Sequence, residues 1–217
     1  MDAAGLRLRQ QHVRDHARLL RDEFHDQASY ALSLVEMVPD LASDVDVVFP
    51  FSRFSASLAG VFFTANLATV DDFGVLTADA GVWNLPRTQN YLIATAAVAA
   101  DQVITGTRSD LREALAEDDK HPAVRQVFEK LLASRLDQWA QTQTTFASNF
   151  GIHEAGQQNR MVWKQWQVTS DDSRHAELDG ERVPLDRVFS NGLRFPGDVT
   201  GDVNDTAWCH CAIDVGS

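Results

Sequence analysis

Met161-Val162-Trp163-Lys164-Gln165-Trp166-Gln167-Val168 is the stretch at which the chain changes character. Alternate residues separate into two sets, Val162, Lys164, Trp166 and Val168 on one side and Met161, Trp163, Gln165 and Gln167 on the other. A period of two carried by tryptophan and valine predicts a β-strand. Beyond it turn formers dominate: Asp179-Gly180, Pro184, Asn191-Gly192, Pro196-Gly197-Asp198, Gly201-Asp202 and Asn204-Asp205. Short strands joined by turns are expected there. Asp179-Gly180 suits a tight hairpin, and in Pro196-Gly197-Asp198 the proline sets φ while the glycine takes the positive φ. Phe189, Leu193, Phe195 and Trp208 are the expected core of this lobe.

Upstream the period is that of a helix. Leu6, Val13, Ala17, Leu20, Phe24, Ala28, Ala31, Leu32 and Val35 recur at steps of three and four, which predicts a helix over 4–38 ended by Pro39. Its other face carries Arg7, Arg9, Arg14, Arg18 and Arg21 among Asp15, Asp22, Glu23 and Asp26. That face reads as solvated and ion-paired; the alternative makes the helix a docking element, with Leu20 and Phe24 essential to the contact. Val45–Phe51 reads as a short strand or extended segment, and a helix is expected near 55–68. Gly74, Gly81 and Pro86 suggest mainly loop from Thr69, with Phe73 and Trp83 packed as core or lid. Further helices are expected at 87–106, ending near Gly106; at 109–118, with Ser109 as N-cap; and at 122–150, stopped by Gly151. The expected class is α+β: a mostly helical region over 1–156, then a small turn-rich, β-containing lobe over 157–217.

Composition narrows the functional classes. In 217 residues, 44% are apolar and 23% charged, which excludes wholesale disorder and fibrous folds. Asp and Glu number 31 against 19 Lys and Arg, and the net charge of −12 would repel a phosphate backbone. No apolar run approaches a membrane span and the N-terminus lacks a signal-peptide core, so a soluble, cytoplasmically assembled protein is expected. With only Cys209 and Cys211, a disulfide scaffold is excluded.

The segment Trp166-Gln167-Val168-Thr169-Ser170-Asp171-Asp172-Ser173-Arg174-His175-Ala176-Glu177-Leu178-Asp179-Gly180 is followed by Val183-Pro184-Leu185-Asp186, Phe189, Pro196-Gly197-Asp198, Asn204 and a closing Cys209-His210-Cys211. In this order and spacing it resembles the C-terminal domain of the Mu F-like phage head morphogenesis proteins. The preceding Ala140-Gln141-Thr142-Gln143-Thr144-Thr145-Phe146-Ala147-Ser148-Asn149-Phe150-Gly151 is similar to that family's helix, with Gln143 where Glu is usual. The resemblance covers about residues 120–215 and departs at His210, where the family has Arg. It implies a minor head (capsid) protein of a tailed bacteriophage or prophage, not an enzyme. Such a protein would lie in the virion, inside the capsid near the portal, and bind the portal protein, the major capsid protein or both, with at most weak contact to packaged DNA.

Two kinds of chemistry remain open in the same segment. His175, Cys209 and Cys211 are zinc-ligand types, with His210 or Asp179 as a conceivable fourth donor. The alternatives are two buried thiols beside a histidine bonded to the Asp179 turn, and a strained Cys209–Cys211 disulfide. A small zinc-binding or nucleic-acid-associated module delivered with the DNA is thus the second functional reading. Ser170 or Ser173 with His175 and Asp179 has the composition of a triad, and His175 with Cys209 that of a thiol nucleophile, but no nucleophile elbow or phosphate loop accompanies them.

Overall fold

The computed structural model describes residues 1–38, 45–169 and 174–217. Among the described residues six α-helical segments precede the sheet: α1 (Ala3–Met37), the single turn α2 (Val45–Val48), α3 (Phe51–Ala78), α4 (Gln89–Leu115), α5 (Lys120–Lys130) and α6 (Leu136–Gln158). A small antiparallel sheet follows, of β1 (Trp163–Gln167), β2 (Arg182–Pro184) and β3 (Ala212–Gly216), in the order β2-β1-β3. One further turn, α7 (Val203–Thr206), lies between β2 and β3. The chain is α+β, a helical assembly with a small β-containing C-terminal lobe.

The stripe on α1 is core. Asp2 caps the helix by accepting from the Gly5 N–H at 2.8 Å. Leu20, Phe24, Ala31 and Val35 are buried with Phe54, Leu58 and Phe62 of α3 and Leu111 of α4. Leu20 and Phe24 are fully enclosed, so they hold the bundle together and face no partner. Each buried side chain of this size contributes roughly 1.5–3 kcal/mol. Arg7, Arg14, Arg18 and Arg21 are exposed as expected, but Arg9 is 4% exposed, on the buried face with His12 and His16.

Several expected breaks are absent. The Val45–Phe51 region is not a strand, since Val45–Val48 form a helical turn. Thr69–Ala78 is helix, and Gly74 is where the Trp83 ring closes on α3 while its Nε1 donates to Asp71 at 2.8 Å. Phe73 is buried, and Trp83 is partly buried against it and its neighbours. α4 runs through Gly106 and Ser109 because the buried positions Val103, Ile104, Thr107, Leu111 and Ala114 keep one face to the core. Between α5 and α6 the chain makes a π-turn, Leu131–Arg135. The buried positions there run Phe128, Leu131, Leu136, Ala140, and the wide π-turn absorbs the step of five.

α6 also passes through Gly151, which serves a close approach: a Cβ there would stand 2.7 Å from the Val70 carbonyl oxygen. From Thr144 to His153 every residue of α6 is buried, because the helix is packed by α1 and α3 on one flank and by the C-terminal lobe on the other. The lobe's core of Trp166, Leu178, Phe189, Leu193, Phe195 and Ile213 is continuous with Phe146 and Phe150 of α6 and Phe73 of α3. Trp208, expected in this core, is instead 42% exposed with its ring edge-on to His210.

Gly151→Ala sets two effects against each other. Alanine in a helix interior is normally favoured over glycine by about 1 kcal/mol, whereas here the added carbon meets backbone that cannot move aside. We expect a lower urea midpoint with unchanged slope; a raised midpoint would mean that α3 and α6 are not in close approach.

Candidate metal centre

Cys209 and Cys211 lie on the extended segment leading into β3, where successive side chains point to opposite sides. That alternation turns both thiols inward and leaves His210 half-buried on the other side. His175 opens the 3₁₀ turn Ala176–Leu178, and its ring is packed edge-on by Trp166 at 5.3 Å between centroids. The His175 Nδ1 is 3.6 Å from the Cys209 Sγ and 3.6 Å from the Cys211 Sγ. The three donor atoms lie within 4.8 Å of one another, and the residues are 5%, 3% and 1% exposed in that order. On the far side of the ring, Nε2 lies 3.9 Å from a carboxylate oxygen of Asp205 in α7.

The sequence-derived donors thus meet in part. His175, Cys209 and Cys211 converge, while the two proposed fourth donors do not. His210 packs on Trp208, and Asp179 accepts the Val168 backbone N–H at 2.9 Å. The His175 ring therefore faces sulfur and not the Asp179 turn, and no disulfide joins the two cysteines. The Cys211 contact and burial hold the Cys209 thiol well above its ordinary pKa, so as it stands it is protonated. Ser170 and Ser173, the hydroxyls of the conceivable triad, lie outside the described residues. Glu177, two residues beyond His175, is exposed.

The backbone that carries the thiols is held from two helices. Thr145 of α6 donates its hydroxyl to the Cys209 carbonyl. Arg9 of α1 donates to the His210 carbonyl at 2.8 Å, to the Cys211 carbonyl at 2.9 Å and to the Thr145 hydroxyl at 2.7 Å. Asn149 of α6 donates to the carbonyls of Pro196 and Cys211, each at 3.1 Å, and accepts the Ile213 N–H at 2.9 Å. Thr169 donates to the His210 carbonyl from the opposite side. Burial pulls the Arg9 pKa down to about 10, with the two cysteines acting in the opposite sense, so the guanidinium stays charged at neutral pH.

A second polar group stands at the Pro196-Gly197-Asp198 turn. Asp198, fully enclosed, receives the Arg194 guanidinium through two bonds of 2.7 and 2.9 Å and the backbone N–H groups of Arg194 and Thr200. Burial alone would raise its pKa, but these donors outweigh it and lower it. Arg194 also donates to the Tyr91 hydroxyl at 2.7 Å, tying the lobe to α4. The turn before Asp198 needs Gly197, whose φ is +79° and where a Cβ would stand 2.8 Å from the Phe146 backbone nitrogen. Nearby, the fully enclosed Lys164 ammonium lies 5.3 Å from the Phe189 ring centroid and has no hydrogen-bond partner among the described residues. Burial brings its pKa down to about 8. Burial and then the Lys164 charge bring the His153 pKa down to about 3, so that imidazole is neutral.

Compared with protein-family models, with curated proteins and with solved structures, the chain has no match.

Lys164 predicts a pH dependence with a definite sign. Its folded pKa is below the ordinary 10.5, so between about pH 8 and 10.5 the unfolded chain binds more protons and stability rises with pH. Lys164→Met removes this dependence. In denaturant titrations the advantage of the variant over the parent should be largest at or below pH 8 and shrink by roughly 3 kcal/mol towards pH 10.5, at about 1.4 kcal/mol per unit. A difference that does not change with pH would show that the ammonium is solvated.

Proposed function

We propose that the chain is a minor head protein of a tailed bacteriophage or prophage, and that it acts by binding the portal vertex, the capsid interior or both. The observation that carries this reading is the ordered motif from Trp166 to Cys211 and its resemblance to the Mu F-like C-terminal domain. The packing supports treating that motif as one unit. Trp166 touches both His175 and Phe189, the Pro196-Gly197-Asp198 turn rests on Phe146, and the Cys209-His210-Cys211 close is clamped by Asn149 and Arg9. The residues that carry the resemblance are largely those that hold this lobe together.

The site chemistry supports binding in place of catalysis. The His175 ring is turned to two thiols, the Asp179 carboxylate is engaged by the Val168 N–H, and Glu177 points to solvent. The net charge of −12 favours protein contacts over the packaged DNA. No helix of the described residues is long and apolar enough to cross a membrane. The second reading, a small zinc-binding module delivered with the DNA, draws on the His175–Cys209–Cys211 cluster alone.

The test is sedimentation of particles from a producing lysate, with quantitative mass spectrometry of this chain, the portal and the major capsid protein in the particle fractions. We expect a fixed, low ratio of this chain to the portal. Its absence from particles, with all of it in the soluble fraction, would overturn the head-protein reading.

A further inference from the structure

We propose that His175 Nδ1, Cys209 Sγ and Cys211 Sγ bind one zinc ion, which fastens the 3₁₀ turn at 176–178 to the segment entering β3. The site goes beyond the head-protein reading and does not depend on it.

Distance is the first argument. A zinc ion with a sulfur at about 2.3 Å and an imidazole nitrogen at about 2.0–2.1 Å, at the tetrahedral angle, places those two atoms about 3.5 Å apart. The observed separations are 3.6 Å to both sulfurs. A single in-plane lone pair on Nδ1 directs one S–H···N bond well, and two equal approaches suit a common ion better than two competing thiols. The donor set is the second argument. Two thiolates and an imidazole select zinc or a softer ion over magnesium, calcium or manganese.

The surroundings are the third argument, because they hold the donors whether or not the ion is bound. All three carbonyls of Cys209-His210-Cys211 are fixed by side chains of α1, α6 and Thr169. Trp166 sets one face of the imidazole, and Asp205 stands 3.9 Å from its Nε2. That distance is within ion-pair reach and longer than a hydrogen bond, so Asp205 acts on the ring through its charge, favouring the N–H on Nε2 and Nδ1 as the ligating nitrogen. Asp205 is positioned in turn by α7, whose N-cap Asp202 accepts the Asn204 N–H at 2.8 Å. On binding, each thiol gives up its proton to solvent and the sulfur lone pair goes to the ion, with no change of oxidation state. The donors are 1–5% exposed and Glu177 faces away, so the ion acts as a staple and activates no substrate. Among the described residues three protein donors converge on the ion.

The experiment uses the tag-free 217-residue chain, reduced and then dialysed against zinc chloride alone. We expect one zinc per chain by elemental analysis, a cobalt-substituted form with a thiolate charge-transfer band, and a melting temperature that a chelator lowers. Cys209→Ser, Cys211→Ser and His175→Gln should each lose stoichiometric zinc, and should melt where the chelated parent does. His210→Ala should keep the metal, which distinguishes these donors from any surface site. Asp205→Asn should bind zinc about tenfold more weakly while its metal-free form melts as the parent's does. A folded, reduced parent without zinc at saturating concentration would overturn the proposal, as would full zinc retention by Cys211→Ser. Neither result would touch the particle measurement.

Discussion

The C-terminal lobe depends on how three consecutive carbonyls, those of Cys209, His210 and Cys211, find partners. The segment enters the sheet from outside any strand ladder, and a buried carbonyl left without a donor costs about 1–3 kcal/mol. Two helices distant in sequence supply the donors: Arg9 from α1, Thr145 and Asn149 from α6. Asn149 is a template of its own. Its amide bridges the Pro196 turn, the Cys211 carbonyl and the Ile213 N–H, so one side chain sets the spacing between α6, a turn and β3. The lobe is therefore positioned by polar contacts of fixed direction, over a shared apolar core that by itself would not select one register.

This arrangement places unusual charges inside. Arg9 is enclosed with carbonyls and a hydroxyl as its acceptors, and Lys164 is enclosed against an aromatic face. Both lie beside groups whose ordinary ionisation is altered, Cys209 in one case and His153 in the other. The Arg194–Asp198 pair differs in kind. It is bidentate and completed by backbone donors, so its buried carboxylate is fully compensated. One lobe of modest size thus holds a well-satisfied ion pair and a cation with no hydrogen-bond partner among the described residues, and the stability contribution of Lys164 changes with pH.

Much of this was legible in the sequence. The two-residue alternation from Met161 placed Lys164 and Trp166 on one side, and both are enclosed. Glycine marked turns of the lobe, because Gly180, Gly192 and Gly197 sit at positive φ. Pro184, read as a turn former, instead ends β2 opposite Trp163, and Asp179-Gly180 closes no tight hairpin, since β1 ends at Gln167 and β2 begins only at Arg182. Glycine misled in the helices. Gly74, Gly106 and Gly151 read as loop or stop signals, yet Gly74 and Gly151 sit where a ring or a neighbouring backbone approaches, and only the third dimension supplies that neighbour. Arg9 was assigned to the charged face by its chemistry although it stands three, seven and eleven residues before His12, His16 and Leu20, the spacing of the buried face. At the candidate site the donor types were legible, and the extended alternation of Cys-x-Cys explains why His210 was not among them. The clamp was not legible, since nothing local links residues 9, 145 and 149 to residue 211.

Arg9 and its partners in α6 hold β3 in place, and amide hydrogen exchange of the Ala212–Gly216 segment in Arg9→Met tests this most directly. Methionine keeps most of the volume and removes the two bonds to backbone carbonyls. These amides should exchange at least tenfold faster than in the parent, about 1.4 kcal/mol or more of lost protection, while those of α4 are unchanged. Equal protection of Ala212–Gly216 in the two proteins would show that the lobe is held by its apolar core alone.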